Sequence, residues 1–181
     1  MRKIIVAEFI SLDGVVEAPE RWHFPYADEE LYRAMWAVNA ETDTMLLGRV
    51  TYEAFAAAFS TAPADDPVAA QLNKPAKIVV SSSLREPVWA GTSVLRGDVV
   101  AGVSALKEQP GADILVTGSI SLTRTLLRAG LVDELHLLVH PILVGTGERL
   151  FEIDGPRIPL SLLSSEVLAS GVSNAKYRTA A

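Results

Sequence analysis

Residues 44–53 read Thr-Met-Leu-Leu-Gly-Arg-Val-Thr-Tyr-Glu, an apolar run of strand length that passes through one glycine into a segment with helical spacing. After Gly48 the apolar residues recur every four positions, which predicts a helix over 49–59. A similar junction of strand and helix lies at 114–121, Ile-Leu-Val-Thr-Gly-Ser-Ile-Ser. Strands that alternate with helices build a largely parallel sheet, so the sequence predicts an α/β fold.

The rest of the chain continues this alternation. Asp98 is a predicted helix cap, and Gly130 is a predicted left-handed helix end. Ser170-Gly171 separates two apolar runs and predicts an antiparallel hairpin. Because no repeat or linker divides the chain, we expect one domain over residues 1–181. The predicted strands are 3–10, 44–47, 77–80, 92–95, 114–117, 135–139, 160–168 and 172–178. The predicted helices are 28–42, 49–59, one after Asp98 and one after Ser121. Loops are predicted over 11–21, which we expect to be mobile, and over 60–67.

The composition indicates a compact globular protein. Of the 181 residues, 49% are hydrophobic and 21% are charged, which excludes a disordered tail and a coiled coil. The formal net charge of -6 has the wrong sign for a dedicated nucleic-acid-binding protein, so we expect no nucleic-acid partner. The absence of cysteine removes disulfides and thiolate chemistry.

The amino terminus predicts a cytoplasmic protein. Two basic residues precede an apolar run, as in a signal peptide, but Glu8 interrupts that run and favours a first strand. No apolar stretch approaches the ~20 residues of a membrane span, so we expect no membrane partner.

The two histidines His136 and His140 do not predict a metal site. They are four residues apart, but they flank Leu-Leu-Val in a predicted strand, where four residues span about 13 Å. A structural role is therefore the prediction for both, and no metal is expected.

Three segments with small and polar residues meet at one rim of the predicted sheet. They are 48–51, 81–83 and 118–121, and each follows the carboxyl end of a strand. Open α/β sheets bind ligands at this rim. Glycines allow close approach of the backbone, and helix amino ends attract anions, which predicts a site for dinucleotide phosphates. For each segment the alternative is an ordinary tight turn, helix cap or loop.

The order of these segments resembles the dihydrofolate reductase superfamily. The matching residues run through 11–14, 46–53, 79–82, 116–119, 130–134 and 141–151. The chain most resembles the branch that contains the reductase domain of the bifunctional riboflavin-biosynthesis protein and uncharacterised bacterial reductase-like proteins. The resemblance implies a three-layer fold with about eight mostly parallel strands, an antiparallel carboxyl-terminal hairpin, and NADPH bound along the rim.

The resemblance also assigns residues to the cofactor. Gly48, Arg49 and Thr51 would meet phosphates on the adenosine side, and Ser81 and Ser82 would lie beside the adenosine. The pyrophosphate would lie on the residues Gly118, Ser119, Ile120 and Ser121. The family's Gly-Gly pair is Gly118-Ser119 here, a departure that resembles the riboflavin-type branch and argues against folate specificity.

Asp28 is the predicted catalytic carboxylate. The folate enzymes place an acid after a Trp and a Pro at the start of the first helix, and here the run 22–28, Trp-His-Phe-Pro-Tyr-Ala-Asp, has one residue more. The alternative is that Asp28 only caps the helix. Asp13 and Trp22 are predicted substrate contacts, while Asp13 and Glu17 also fit solvated loop residues.

Three functions remain open from the sequence. The first is NADPH-dependent hydride transfer to a C=N or C=O bond of a small heterocyclic substrate resembling a ribosyl-pyrimidine or a pterin. The second is a nucleotide-binding protein of the same fold without catalysis, and the third is a structural partner subunit. The apolar segment 160–168 predicts a homodimer, because an edge strand that is apolar on both sides needs a second cover.

Overall fold

The computed structural model describes residues 1–63 and 65–180 and confirms the predicted α/β fold. Each predicted strand is present within one or two residues of its predicted ends. The strands are β1 Ile4–Ser11, β2 Thr42–Gly48, β3 Ala76–Val80, β4 Thr92–Leu95, β5 Asp113–Val116, β6 Glu134–His140, β7 Leu160–Val167 and β8 Ser173–Thr179; the helices are α1 Glu29–Glu41, α2 Arg49–Phe59, α3 Pro67–Asn73, α4 Val99–Lys107 and α5 Ile120–Arg128.

The eight strands form one sheet in the order β4-β3-β2-β5-β1-β6-β8-β7. The first six strands along the chain pair in parallel, and the β6–β8 and β7–β8 pairs are antiparallel. β1 lies between β5 and β6, so its carboxyl end is central to the rim at which ligands were predicted. The sheet is therefore mostly parallel with an antiparallel terminal hairpin, as expected.

Helices cover both faces of the sheet. On one face Val103 of α4 and Leu122 of α5 pack in the same cluster as Ile4 and Val116. On the other face Val38 of α1 packs with Ile5, and α2 and α3 pack on β2 and β3. Successive residues of a strand point to opposite faces of the sheet. Ile4 and Ile5 of β1 belong to different clusters, so the two clusters lie under the two helix layers. The three-layer arrangement is confirmed.

Helix ends follow the predicted signals. Asp98 accepts a hydrogen bond from the Ala101 N–H at 3.0 Å and caps α4. Gly130 ends α5 with φ +66°, in the left-handed region. Asp66 caps the short helix α3, which is not among the helices predicted from the sequence. Its seven residues give too few turns for a clear apolar period, and its start is set by Asp66 and Pro67.

The loop after β1 is hydrogen-bonded along much of its length. It contains two 3₁₀ helices, Pro19–Arg21 and Phe24–Tyr26, and its Val15 pairs with Arg149 in an isolated antiparallel bridge. The N–H of Leu150 donates to the Gly14 carbonyl at 2.9 Å. The loop predicted over 11–21 is thus joined to the segment after β6. Among the described residues no helix is long and apolar enough to cross a membrane.

The terminal strand β7 forms one edge of the sheet and is exposed over all eight residues. A register shift between Leu162 and Ser164 leaves Leu162 and Leu163 both exposed, at 57% and 40%. The predicted edge strand with apolar side chains on both faces is confirmed, and nothing within the described chain covers it.

Candidate functional site

The rim brings two of the predicted phosphate-binding segments into direct contact. Strands β2 and β5 are neighbours, so the turns at Gly48 and Gly118 lie side by side. The Gly48 N–H donates to Ser119 Oγ at 2.5 Å, and the Ser119 N–H donates to Thr51 Oγ1 at 2.8 Å. Ser119 Oγ also lies 3.0 Å from Thr51 Oγ1. Residues 48–51 and 118–121 therefore form one hydrogen-bonded unit, hereafter the paired turns.

The backbone at the paired turns requires a glycine at position 118. Gly118 has φ +64°, and a Cβ there would lie 2.6 Å from Thr51 Cγ2. Ser119 follows with φ +63° in the same left-handed region, a conformation that strains a residue with a Cβ. The hydrogen bonds that Ser119 makes to Gly48 and Thr51 offset this strain. The Gly118-Ser119 departure from a Gly-Gly pair is thereby accommodated.

Backbone donors remain free at the start of α5. The first used donor in this turn is the Thr123 N–H, which bonds to the Ser119 carbonyl at 2.9 Å. Helix geometry leaves the N–H groups of Ile120, Ser121 and the residue after them without an intrahelical acceptor. The helix dipole makes this end favourable for anions. The residues present therefore fit a phosphate group laid against α5.

Arg49 lies at the exposed amino end of α2, close to the same unit. Its Nη1 forms an ion pair with Glu53 Oε2 at 2.8 Å. Both side chains are about half exposed, and exposed pairs of this kind contribute little to stability. Arg49 is therefore available to an anionic ligand. Gly48 precedes it as the helix cap residue, and a Cβ there would lie 3.0 Å from Ser119 Oγ.

Ser81 and Ser82 follow β3 at the same rim. Ser81 Oγ accepts hydrogen bonds from the N–H groups of Ser83 at 3.2 Å and Leu84 at 3.0 Å, so it organises its own turn. The Ser82 side chain is exposed, and its carbonyl accepts a bond from Arg96. The structure places both residues beside β2, the strand that leads into the paired turns.

Asp28 is the amino-terminal cap of α1. Its Oδ1 accepts a hydrogen bond from the Leu31 N–H at 2.8 Å, which is the alternative that the sequence left open. Among the described residues Oδ2 has no hydrogen-bond partner. The side chain is half-buried. The cap thus uses one oxygen of the carboxylate, and the second remains available.

Asp13 and Glu17 fasten the loop after β1 to the segment after β6. Asp13 accepts hydrogen bonds from Ser11 Oγ and from the N–H groups of Val144 and Gly145. These bonds lower the pKa of Asp13 to about 2, with the Ser11 bond contributing most. Glu17 accepts from the Glu148 N–H at 2.8 Å. Neither carboxylate is simply solvated, because each bonds a backbone N–H of the facing segment.

Trp22 and His140 lie within a group of packed rings, hereafter the aromatic cluster. Its members are Phe9, Trp22, His23, Phe24, Tyr26 and His140. Trp22 is 7% exposed and stands edge-on to His140, with ring centroids 5.2 Å apart. His140 Nδ1 lies 2.8 Å from the Leu138 carbonyl, and its Nε2 has no partner among the described residues. Burial lowers the pKa of both His23 and His140, which favours their neutral forms.

His136 lies in a different environment from His140. Its Nε2 is 3.1 Å from Glu134 Oε2, and burial lowers its pKa although this carboxylate acts in the opposite direction. The two histidines thus have separate structural contacts. Among the described residues, no group of three or more metal-ligating side chains is brought together.

Glu8 is a buried carboxyl in the second half of β1, and no sequence motif marks it as a site residue. It is 8% exposed, and its Oε1 has no hydrogen-bond partner in the described structure. Burial raises the pKa of Glu8 to about 8, while a hydrogen bond from the backbone of Gly118 acts in the opposite direction. Glu8 is therefore uncharged at neutral pH and lies against the paired turns.

Residues 2–173 match the family model of the RibD C-terminal domain. The chain belongs to the RibD C-terminal domain family. This membership confirms the resemblance that the sequence motifs indicated. A relative that is 26% identical over 178 residues, covering 97% of this chain and 94% of its own length, is the uncharacterized protein YyaP of Bacillus subtilis (strain 168).

Solved structures share the fold of this chain. A putative riboflavin biosynthesis protein from Shewanella sp. PV-4 superposes with a TM-score of 0.78 at 19% identity, covering 99% of both chains. A pyrimidine reductase-like protein from Corynebacterium diphtheriae gives 0.67 at 16% identity, covering 99% of this chain and 92% of that one. Dihydrofolate reductase from Enterococcus faecalis, complexed with NADP(H) and RAB-propyl, gives a TM-score of 0.66 at 15% identity, covering 99% of this chain and 97% of that one. At these identities the likeness establishes the fold.

This chain also has a cavity of about 480 Å³ whose lining includes Arg124, Arg128 and Arg149. No local sequence pattern predicts this group, because its members come from α5 and from the segment after β6. Each arginine already faces a carboxylate: Arg124 faces Glu148, Arg128 faces Glu152, and Arg149 faces Asp13. Arg124 also donates to the carbonyls of residues 149 and 150. Arg124 and Arg128 therefore link α5 to the segment after β6, and Arg149 links that segment to the loop after β1.

Proposed function

We propose that this chain, as one domain, is an NADPH-dependent reductase that transfers hydride to a C=N or C=O bond of a small heterocyclic substrate. The observation that carries the proposal is the pair of turns, in which Ser119 joins Gly48 and Thr51 beside the free N–H groups of α5. Such N–H groups fit the pyrophosphate of a dinucleotide. When bound, NADPH would supply the hydride.

The other proposed cofactor contacts surround this unit. Arg49 would pair with the 2'-phosphate of NADPH, since an anion can replace Glu53 in its exposed ion pair. Ser81 and Ser82 would lie beside the adenosine, next to β2. Rossmann enzymes select NAD with a carboxylate that accepts from the ribose hydroxyl. The turn after β3 begins instead with serines, which favours NADPH over NADH.

The substrate is proposed to lie on the α1 side of the rim. Asp28 is half-buried there and leaves Oδ2 free, so it would orient the substrate and exchange a proton with it. Trp22 would contact the substrate from the aromatic cluster, and Asp13 would shape the loop after β1 at the entrance to the substrate site. The neighbours described as riboflavin biosynthesis and pyrimidine reductase-like proteins favour a ribosyl-pyrimidine or pterin-like compound.

Two measurements test the proposal. NADPH binding is measured by calorimetry, and turnover is measured as loss of NADPH absorbance with pterins, pyrimidines and simple carbonyl compounds. Binding with turnover is the expected result. Binding without turnover on any of these compounds would favour a nucleotide-binding protein of the same fold, and failure to bind NADPH would refute the reductase.

We also propose that the protein forms a homodimer through β7. This strand has a full edge of exposed backbone, and Leu160, Leu162 and Val167 are exposed along it. Native proteins protect such edges with lysine, proline or a covering element. β7 has no lysine or proline. A second copy paired antiparallel on β7 would cover both its backbone and its apolar side chains.

A further inference from the structure

Glu8 lies on β1, the neighbour of β5, and β5 leads into the turn that the proposed function assigns to the cofactor. The parallel pairing of β1 with β5 ends at Val6 and Val116, and each segment reaches Glu8 or Gly118 two residues later. The backbone of Gly118 lowers the pKa of the Glu8 carboxyl, against the larger effect of burial. Gly118 in turn begins one of the paired turns, so this carboxyl lies close to their backbone.

The surroundings of Glu8 are apolar. On β1 itself Val6 and Ile10 share its face of the sheet, and Leu137 is its partner on β6. The same cluster contains Leu122 and Leu126 of α5. A carboxylate here would have little solvation and would be left with one oxygen that no donor contacts.

The charged groups on the neighbouring elements point elsewhere. His136 and Glu134 of β6 pair with each other on the opposite face. Arg124 of α5 contacts carbonyls of the segment after β6 and Glu148. Asp13 is held by Val144 and Gly145, and Arg49 of α2 is paired with Glu53. None of these groups contributes to the ionisation of Glu8, for which burial and Gly118 are the causes.

We propose that Glu8 is a positioning residue for the proposed cofactor: its uncharged carboxyl supports the Gly118-Ser119 turn, and loss of its proton weakens binding of the anionic pyrophosphate. The inference rests on the proposed function, because it needs the pyrophosphate at this turn. An ionised Glu8 would put a buried negative charge next to an anion site, where little solvent screens it. By linkage, bound NADPH would hold the proton on Glu8.

The size of the effect follows from the uncharged fraction of Glu8. If only that form binds, the apparent Kd rises as this fraction falls. With a pKa of about 8, close to 3% of the protein is uncharged at pH 9.5, so NADPH affinity should fall about 30-fold between pH 7 and pH 9.5.

The test compares NADPH binding to the wild type and to Glu8→Gln by calorimetry over this pH range. Gln retains an acceptor for Gly118 and cannot ionise, so its Kd should stay nearly constant. Glu53→Gln is the matched control, because it removes an exposed carboxylate near the same unit and should keep the pH dependence of the wild type. Equal pH dependence of the wild type and Glu8→Gln would overturn the inference while leaving the proposed function intact.

A second measurement uses the wild type alone, so it does not depend on whether a variant folds. At pH 9 the wild type should take up close to one proton for each NADPH bound, measured as the dependence of the binding enthalpy on the ionisation enthalpy of the buffer. NADPH binding without proton uptake would refute the role of Glu8. Failure of wild-type protein to bind NADPH at any pH would instead refute the proposed function, and the inference with it.

Discussion

Replacing Glu8 by Gln should change how the stability of the protein depends on pH. In the folded protein burial raises the pKa of Glu8 to about 8, from an ordinary value of 4.5. Between these two pH values the folded chain holds a proton that the unfolded chain has released. The free energy of unfolding therefore falls with rising pH, by about 1.4 kcal/mol per pH unit.

The sign of this effect decides where it is seen. Glu8 does not lower the free energy of unfolding below about pH 4.5, where both states are protonated. The loss of free energy grows through neutral pH and stops growing above about pH 8, where the folded state also loses the proton. Between pH 5.5 and pH 7.5 the wild type should lose about 2 to 3 kcal/mol relative to Glu8→Gln. The three histidines with lowered pKa titrate in both proteins, so the comparison removes their contribution.

The assay is urea denaturation followed by tryptophan fluorescence at several pH values between 5.5 and 7.5. Trp22 and Trp89 are buried in the folded protein and should report its unfolding. Glu86→Gln is the control, because Glu86 is exposed and its replacement should leave the pH profile unchanged. Parallel profiles for the wild type and Glu8→Gln would refute the assignment of a buried, uncharged carboxyl to position 8.

Four further predictions test the site and the assembly. Gly118→Ala should destabilise the fold by about 2 kcal/mol or more in urea denaturation, because a Cβ would meet Thr51 at 2.6 Å; Gly130→Ala, with similar φ and open space, should lose less. Arg49→Ala should weaken NADPH binding by about 1.5 to 3 kcal/mol and NADH binding far less, and equal losses would contradict a 2'-phosphate contact. Asp28→Asn keeps a capping oxygen and should bind NADPH normally but lose about 100-fold in kcat/KM; unchanged turnover would leave Asp28 a helix cap only. Leu162→Lys should convert a dimer to monomer in light scattering, whereas a monomeric mass for the unmodified protein would contradict the homodimer.

The sequence by itself determined the order of strands and helices and the rim at which the site lies. Those features depend on local physics: apolar spacing distinguishes a strand from a helix, and the residues at helix ends, such as Asp98 and Gly130, act on their own backbone. The strand-to-helix junctions at Gly48 and Gly118 were visible because each is a short contiguous run. Helix α3 was missed, since seven residues carry too little periodic signal.

Only the tertiary structure decided which side chains meet at that rim. Ser119 bonds to Gly48 and Thr51 across about seventy residues of sequence because β2 and β5 are neighbours in the sheet. Glu8 looked like an interruption of an apolar strand, and its chemistry appeared only when β5, β6 and α5 enclosed it. Desolvation depends on everything packed around a group, and that environment is assembled from distant segments, so no local pattern records it.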